Sequence, residues 1–338
     1  MNVKVYATSP IAPAIREALL AGGTQLTSVA TFDERRAADT IHADNLDILV
    51  DIAAFGPYAK PGLLSCRPAR VQITLPGLTH PAGIGELDYR LSDQVADLHV
   101  GPEPDSPAVV IVEGGVFPLL SAPQVPLQLT RLQLGIAESA PVFGVLATAA
   151  RLSSRCLTTW KALIDRVPVA VFFVCPLEAS DREPIRRLLL AAGVDASRIA
   201  MLPATYPRPR DLCLAGVVDV MLDTMPGSDY FSTRAAILDA IPLVTISGRM
   251  LEERVALSLL TGLGETSTVV ASGGDYVELA AQLATDAIMR ASLADHLRRL
   301  LQKSPIADMT RYVTRFEDAL FRATAVSAAS RGRTDLAS

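Results

Sequence analysis

The stretch DVMLDTMPGSDYFSTRAAILDAIPLVTISG, Asp219 to Gly248, sets a dense group of polar side chains between two apolar runs. Its pattern predicts a buried strand ending at Leu222 and Asp223, a loop, a helix starting near Ser232 or Thr233, and a second buried strand. Gly227, Ser228, Asp229, Tyr230, Phe231, Ser232, Thr233 and Arg234 therefore stand where a strand hands over to a helix. The first turn of a helix offers unpaired backbone N–H groups and the positive end of the helix dipole, which suits a phosphate or another anion. Ser232 or Thr233 would serve equally as a plain N-cap, so the loop reads either as an anion site or as an ordinary helix start. Asp223 is expected to brace the loop rather than act as a base. Arg234 and Arg249 are each either solvated or placed to grip an anion with a forked pair of donors.

A second candidate lies in AADTIHAD, where His42 ends a predicted helix and Asp39, three residues earlier, shares its face. His42 has three possible roles: general base, contact to a bound substrate or helix-end partner. Asp39 either orients it or is solvated. His80, in the glycine-rich GLTHPAGIG, is expected to act in a loop without catalysis, and His99 and His296 to lie on the surface. Cys66, Cys156, Cys175 and Cys213 are far apart and form no CxxC pair, so neither a zinc knuckle nor a disulfide framework is indicated. Cys175, in AVFFVC, reads as a buried thiol. No ligand cluster asks for a metal, and no cofactor is expected.

The elements that must position these residues repeat in the order strand, helix, strand. VKVYA precedes the helical IAPAIREALLAGG, in which Ile15, Leu19 and Leu20 share a face and Gly22 and Gly23 signal a stop. TSVATF, a helical ERRAADTIHAD and LDILVDIAAF follow, and the last is too continuously apolar for a sheet with one wet face. After VQITLPG and DYRLSD, the proline-containing SAPQVPLQLT marks a domain boundary, set at residues 125/126. Beyond it come PVFGVLA, a helix with Trp160, VAVFFVCP, REPIRRLLLAAG, RIAMLP, a helix near DLCLAG, VDVMLD, STRAAILDA, PLVTIS, LEERVALSLLTGLG, TVVA and a long helix from Asp275. The predicted fold is α/β, with two doubly wound Rossmann-like domains, 1–125 and 126–305, facing a central cleft at the carboxyl ends of their strands. A closing helix over 306–326 carries Met309, Tyr312, Val313, Phe316, Leu320 and Phe321 at helical spacing, and 327–338 reads as a disordered tail.

The bulk numbers agree with a globular chain: 338 residues, 50% hydrophobic and 20% charged, enough for a substantial core and more readily two domains than one. A net charge of -5 argues against a broad nucleic-acid surface. No apolar run is long enough to span a bilayer and the amino terminus lacks a signal-type core, so a cytoplasmic protein with no membrane partner is expected.

Two blocks of motifs resemble the catalytic region of the O-GlcNAc transferase family. One is Asp219 to Gly248 with RMLEERVALSLLTGLG and GGDYVELAAQLATD after it; the other is AADTIHADNLDILVDIAAF followed by CRPARVQITLPGLTHPAGIGELDYRLSD. Together they run from about Ala37 to Asp286 in the family's order. The resemblance implies a GT-B architecture. It also implies an inverting transfer of a sugar from a nucleotide-sugar donor to Ser or Thr of a protein acceptor. Residue by residue, it puts the donor on Thr148, Arg208, Asp211 and Gly227 through Arg234, with Arg151 where the family has a diphosphate-neutralising Lys. It puts the acceptor near Gly77, Thr79 and His80, and makes His42, Asp39 and Arg151 the catalytic candidates.

The chain also departs from the family pattern. Tyr230, Phe231 and Ser232 stand in place of a His-Thr-Thr or Gly-Thr-Thr run, Thr148 in place of a Gln, and Ala235 in place of the ribose-binding Asp; an alanine side chain cannot accept a ribose hydroxyl. MNVKVYATSP aligns with the family's second strand, so the first strand-helix unit, with its histidine, and the tetratricopeptide repeats are expected to be absent. These departures leave the donor open between UDP- and CMP-linked sugars. Bacterial relatives modify flagellin, some with nonulosonic acids whose carboxylate Arg234 would suit. A GT-B shell that has lost catalysis and serves as a binding or scaffold module is the competing reading, and small-molecule glycosyl transfer a third.

Overall fold

The structure, a computed structural model, describes residues 1–52, 58–75, 84–97, 107–119, 125–206 and 209–334. It divides into two compact units: residues 1–94, 99–116 and 313–338 form one, and residues 95–98 and 117–312 the other.

In the first unit the chain runs β1 (Lys4–Ala7), α1 (Pro13–Ala21), β2 (Gln25–Ser28), α2 (Glu34–His42), β3 (Ile48–Asp51), α3 (Pro61–Ser65), β4 (Val71–Thr74), β5 (Tyr89–Ser92) and β6 (Ala108–Ile111). Strands β3, β4, β5 and β6 form a parallel sheet in that order, and β1 and β2 a separate parallel pair. Every residue of β4 and β5 is buried, as expected of central parallel strands covered on both faces. Ala37, Ala38 and Ile41 of α2 pack with Leu63 and Leu64 of α3 in the unit's apolar cluster. Helix α1 behaves differently. It ends where the glycines predict, with Gly23 at φ 75°, but none of its residues is buried; Ile15 is 57% and Leu20 53% exposed.

In the second unit the order is β7 (Val125–Pro126), β8 (Val142–Ala147), α4 (Ser154–Arg166), β9 (Val171–Pro176), α5 (Arg182–Ala191), β10 (Ile199–Met201), β11 (Leu212–Cys213), β12 (Val220–Leu222), α6 (Tyr230–Leu238), β13 (Leu243–Ile246), α7 (Val255–Leu263), β14 (Val269–Val270), α8 (Gly273–Thr285) and α9 (Ala287–Leu301); the terminal helix α10 (Met309–Thr334) belongs to this unit only as far as Tyr312. A six-stranded parallel sheet reads β10-β9-β8-β12-β13-β14, with the order reversing between β8 and β12. All six residues of β8 are buried. Gly144 in its middle is required by space, because a Cβ there would lie 2.7 Å from Val218 Cγ1 and 2.5 Å from the Met221 sulfur.

Helix α4 is held at its start by Ser153, whose hydroxyl accepts from Cys156 N at 3.1 Å. It buries Cys156, Trp160, Leu163 and Ile164, a single face at helical spacing. Trp160 lies against Phe172 of β9 with ring centroids 5.9 Å apart, and its indole N–H donates to the Tyr276 hydroxyl of α8 at 3.3 Å. Cys175 is fully buried, and burial pushes its thiol upward, as befits a packing group.

Three details differ from the sequence reading. The units part at 116/117, ahead of the proline-containing stretch, and the terminal helix divides between Tyr312 and Val313. Helix α10 continues past residue 326 to Thr334, its side chains being described to residue 325. It buries Ala319, Leu320 and Ala323 while Phe321 is 58% and Val313 47% exposed, so of the predicted apolar stripe Leu320 is buried, beside two alanines. The segment near DLCLAG forms a short 3-10 turn, Pro209–Asp211, and strand β11 paired with β7, instead of a helix. The Asp239 carboxylate holds Leu214 N at 2.5 Å just beyond that strand, fixing the extended path.

Candidate functional site

Strand β12 pairs with β8 on one side and β13 on the other, so the chain leaves the middle of the sheet at Asp223. That side chain is 1% exposed, and its carboxylate accepts from Thr224 N at 3.0 Å, Asp229 N at 3.1 Å and Thr245 Oγ1 at 2.6 Å. Burial pushes the Asp223 carboxyl up to about 6; the nearby Asp229 charge adds to the rise, and the hydrogen bonds oppose it. The backbone is pinned as well. Tyr276 Oη donates to Asp223 O at 3.0 Å and Ser153 Oγ to Met225 O at 2.5 Å, tying the loop to α8 and α4. Asp223 therefore braces the loop from inside, in line with its place at the strand end.

The residue that starts α6 is Asp229, not Ser232 or Thr233. Its backbone is extended (φ −112°, ψ 128°) and its Oδ1 accepts from Ser232 N at 2.9 Å, the geometry of an N-cap. Thr233 instead turns its hydroxyl back to Asp229 O at 2.8 Å. With Asp, Ser and Thr all present within five residues, the sequence offered three cap candidates; the Asp three residues ahead of Ser232 was the signal to weigh. Arg151, from the 3-10 turn Ala149–Arg151, reaches the same place. Its Nε lies 3.2 Å from Asp229 Oδ2 and its Nη1 donates to Ser228 O at 2.8 Å. Thr148 opens that turn without a side-chain cap. Ser228 is buried and spans the loop, its N–H on Glu252 O and its Oγ accepting from Ala256 N, both at 2.9 Å. Ser232 is 1% exposed, yet its hydroxyl has no hydrogen-bond partner.

Around this turn the aromatic pair is packed rather than free. Tyr230 donates its hydroxyl to Pro118 O at 2.7 Å and stands edge-on to Phe231 at 5.4 Å. Arg210, which the sequence reading passed over, holds its guanidinium 4.7 Å from the centre of the Phe231 ring and 3.3 Å from Glu178 Oε1. Arg234 is not a solvated residue: it is 5% exposed and its Nη1 donates to Arg210 O at 3.3 Å. Asp211 ends the adjoining 3-10 turn, Pro209–Asp211. Arg249 is exposed on the far side of β13, where the Glu253 carboxylate caps its backbone N–H at 2.7 Å. The structure thus gathers Arg151 and Gly227 through Arg234 about one helix start.

His42 and Asp39 are built otherwise. Both are exposed, and Asp39 pairs with Arg35 at 3.2 Å along the helix rather than orienting His42. An i,i+4 neighbour of opposite charge holds the carboxylate more favourably than an imidazole three residues on. Gly77, Thr79, His80, His99 and Arg208 lie outside the described residues. His296 is part exposed and lies 3.4 Å from Glu265. Among the described residues no group of three or more His, Cys, Asp or Glu could hold a metal ion, and no helix is long and apolar enough to cross a membrane.

Residues 120–316, more than half of the chain and the whole of the β8 to α9 sheet unit, match glycosyl transferase family 41. The chain belongs to that family. It is 27% identical over 334 residues to the probable UDP-N-acetylglucosamine–peptide N-acetylglucosaminyltransferase SPINDLY of Petunia hybrida, covering 94% of this chain and 35% of that protein. The probable transferase SEC of Arabidopsis thaliana is 22% identical over 321 residues, covering 91% and 32%. The chain spans about a third of the length of these curated relatives. Among solved structures, a mutant O-GlcNAc transferase of Thermobaculum terrenum superposes with a TM-score of 0.80 at 24% identity, covering 98% of this chain and 63% of that one. An Anabaena protein solved with UDP and glucose gives 0.59 at 11% identity, covering 94% and 91%. The fold of this family 41 chain is that of GT-B glycosyltransferases.

Proposed function

We propose that this family 41 protein is a glycosyltransferase that moves a sugar from a nucleotide-sugar donor to a Ser or Thr hydroxyl of a protein, with the donor phosphate at the amino terminus of α6. One observation carries the reading: a helix start that brings together the first-turn amide of Ser232, the Arg151 guanidinium and a buried Ser232 hydroxyl without a partner. When the sugar–phosphate bond breaks, negative charge grows on the departing phosphate, and donors already fixed in place stabilise it without reorganising. In a single displacement, inverting the anomeric centre, the acceptor hydroxyl oxygen is held in line on the opposite side and bonds to the anomeric carbon as the bond to the phosphate oxygen breaks, its proton passing to the departing phosphate or to solvent. The relatives' names favour a UDP-linked N-acetylglucosamine donor. Arg234, which would favour a CMP-linked acidic sugar such as those placed on flagellin, donates instead to Arg210 O, and this weighs toward UDP. Four free cysteines suit a reducing compartment such as the cytoplasm.

A non-catalytic binding module is favoured by one observation, the Asp229 carboxylate already seated on Arg151. Titration calorimetry with UDP, CMP and UDP-N-acetylglucosamine separates the readings. Donor binding in the micromolar range, reduced about 100-fold by Arg151→Met as expected for loss of a charged phosphate contact, supports the transferase. Absence of heat with every nucleotide at millimolar concentration supports the module. Intact-mass analysis of candidate acceptor proteins then reports transfer directly.

A further inference from the structure

The amino terminus of α6 already holds an anion, and it belongs to the chain. Asp229 Oδ1 accepts from the first-turn amide of Ser232 at 2.9 Å and Oδ2 meets Arg151 Nε at 3.2 Å, so one carboxylate uses the two kinds of donor that a phosphate would need. The Asp229 side chain is 5% exposed, so little water screens its charge from a second anion brought beside it. The carboxylate also underfills the place. Its two oxygens take the amide and the guanidinium, while Ser232 Oγ, in a residue 1% exposed, is left without a partner. A tetrahedral phosphate carries more acceptor oxygens than a carboxylate and can serve more donors than these two.

Resting on the donor reading above, we propose that Asp229 is an internal competitor for the donor phosphate: its carboxylate fills the helix start and neutralises Arg151, and a donor binds by turning that side chain out. The backbone does not need to move. Asp229 N is held by Asp223 Oδ1 at 3.1 Å and Asp229 O by Thr233 N at 3.1 Å, so the displacement is a rotation of one side chain about a fixed loop. The residue thereby sets a threshold: a ligand must offer the site more than a carboxylate does, which selects phosphates over weaker anions.

The test is calorimetric titration of the whole protein with UDP and with uridine, in the wild type, Asp229→Asn and Asp229→Ser. Both variants keep an oxygen for the Ser232 amide and remove the charge, so one remains informative if the other fails to fold. UDP is expected to bind each variant about ten-fold or more tighter than the wild type, with uridine, which has no phosphate, unchanged. UDP affinity equal to or below the wild type overturns the competitor and leaves the donor reading intact. An equal gain for uridine also overturns it, since charge would not be the cause. If none of the three proteins binds either ligand, and CMP fails too, the donor reading falls and takes the competitor with it.

Discussion

The start of α6 and the end of α2 carry the two sets of residues whose types invite chemistry, and they are built in opposite ways. At α6, Asp223, Ser228, Asp229 and Ser232 are all buried, and a chain of hydrogen bonds runs from Trp160 through Tyr276 to the Asp223 carbonyl. At α2, His42 and Asp39 stand in solvent, and among the described residues the side-chain partner of Asp39 is Arg35 on the same helix. A side chain fixed by its surroundings can be aimed at a ligand without losing further freedom on binding; an exposed one must be ordered at the moment of use. The comparison favours α6 as the place for the proposed chemistry, and it can be broken from either side.

The largest effect is expected from removing the support under α6. Trp160→Ala takes out a fully buried ring and the donor that orients Tyr276, and should destabilise the protein by about 3–5 kcal/mol. Urea unfolding measures it. A change under about 1 kcal/mol would mean that the aromatic chain does not set the loop, and the contrast with α2 would lose its structural basis.

Asp223→Asn sharpens the same contrast through pH. In the fold the carboxyl is pushed up to about 6 from an ordinary 3.8, chiefly by burial, so between those values the native state holds more of its proton than the unfolded chain does. The contribution is therefore present in full below about pH 4, is lost as pH rises through about 6, and stays lost above it; for a shift of this size it is roughly 3 kcal/mol. Asparagine keeps an oxygen for the amides of Thr224 and Asp229, and its amide can donate to the Thr245 hydroxyl. Chemical unfolding at pH 4 and pH 7 should give the wild type a larger loss of stability than Asp223→Asn. Equal losses would show that the hydrogen bonds to the carboxylate outweigh its burial.

Much of this was legible in the chain itself, for identifiable reasons. Continuous apolar runs such as VFGVLA and VFFVC admit little besides buried parallel strands, and both are. The strand, loop and helix of Asp219 to Gly248 followed from the change of hydrophobic period, and Arg151 came from a family position rather than from spacing. What stayed hidden depends on distant partners. That Asp229 caps α6 and meets a guanidinium 78 positions earlier, or that Arg210 lies over Phe231, is decided by how elements far apart in sequence pack. The three-residue spacing of Asp39 and His42 was correct as helix geometry, but a shared face says nothing of a competing neighbour, and Arg35 was nearer in charge.

The smallest effects are expected at α2. Asp39→Ala removes an exposed i,i+4 ion pair whose partners are 78% and 64% accessible, and such pairs contribute about 0.5 kcal/mol or less. His42→Ala removes an imidazole with no side-chain bond among the described residues, so UDP affinity should stay within about twofold of the wild type and turnover within about threefold. A positioned general base contributes 100-fold or more. Initial rates at saturating donor therefore decide the matter: a loss of that size in His42→Ala, with UDP affinity unchanged, would make the helix end a catalytic centre after all. The exposed side chain would then have to gain its orientation from the bound acceptor rather than from the protein, and the division of labour between the two helix ends would have to be redrawn around the substrate.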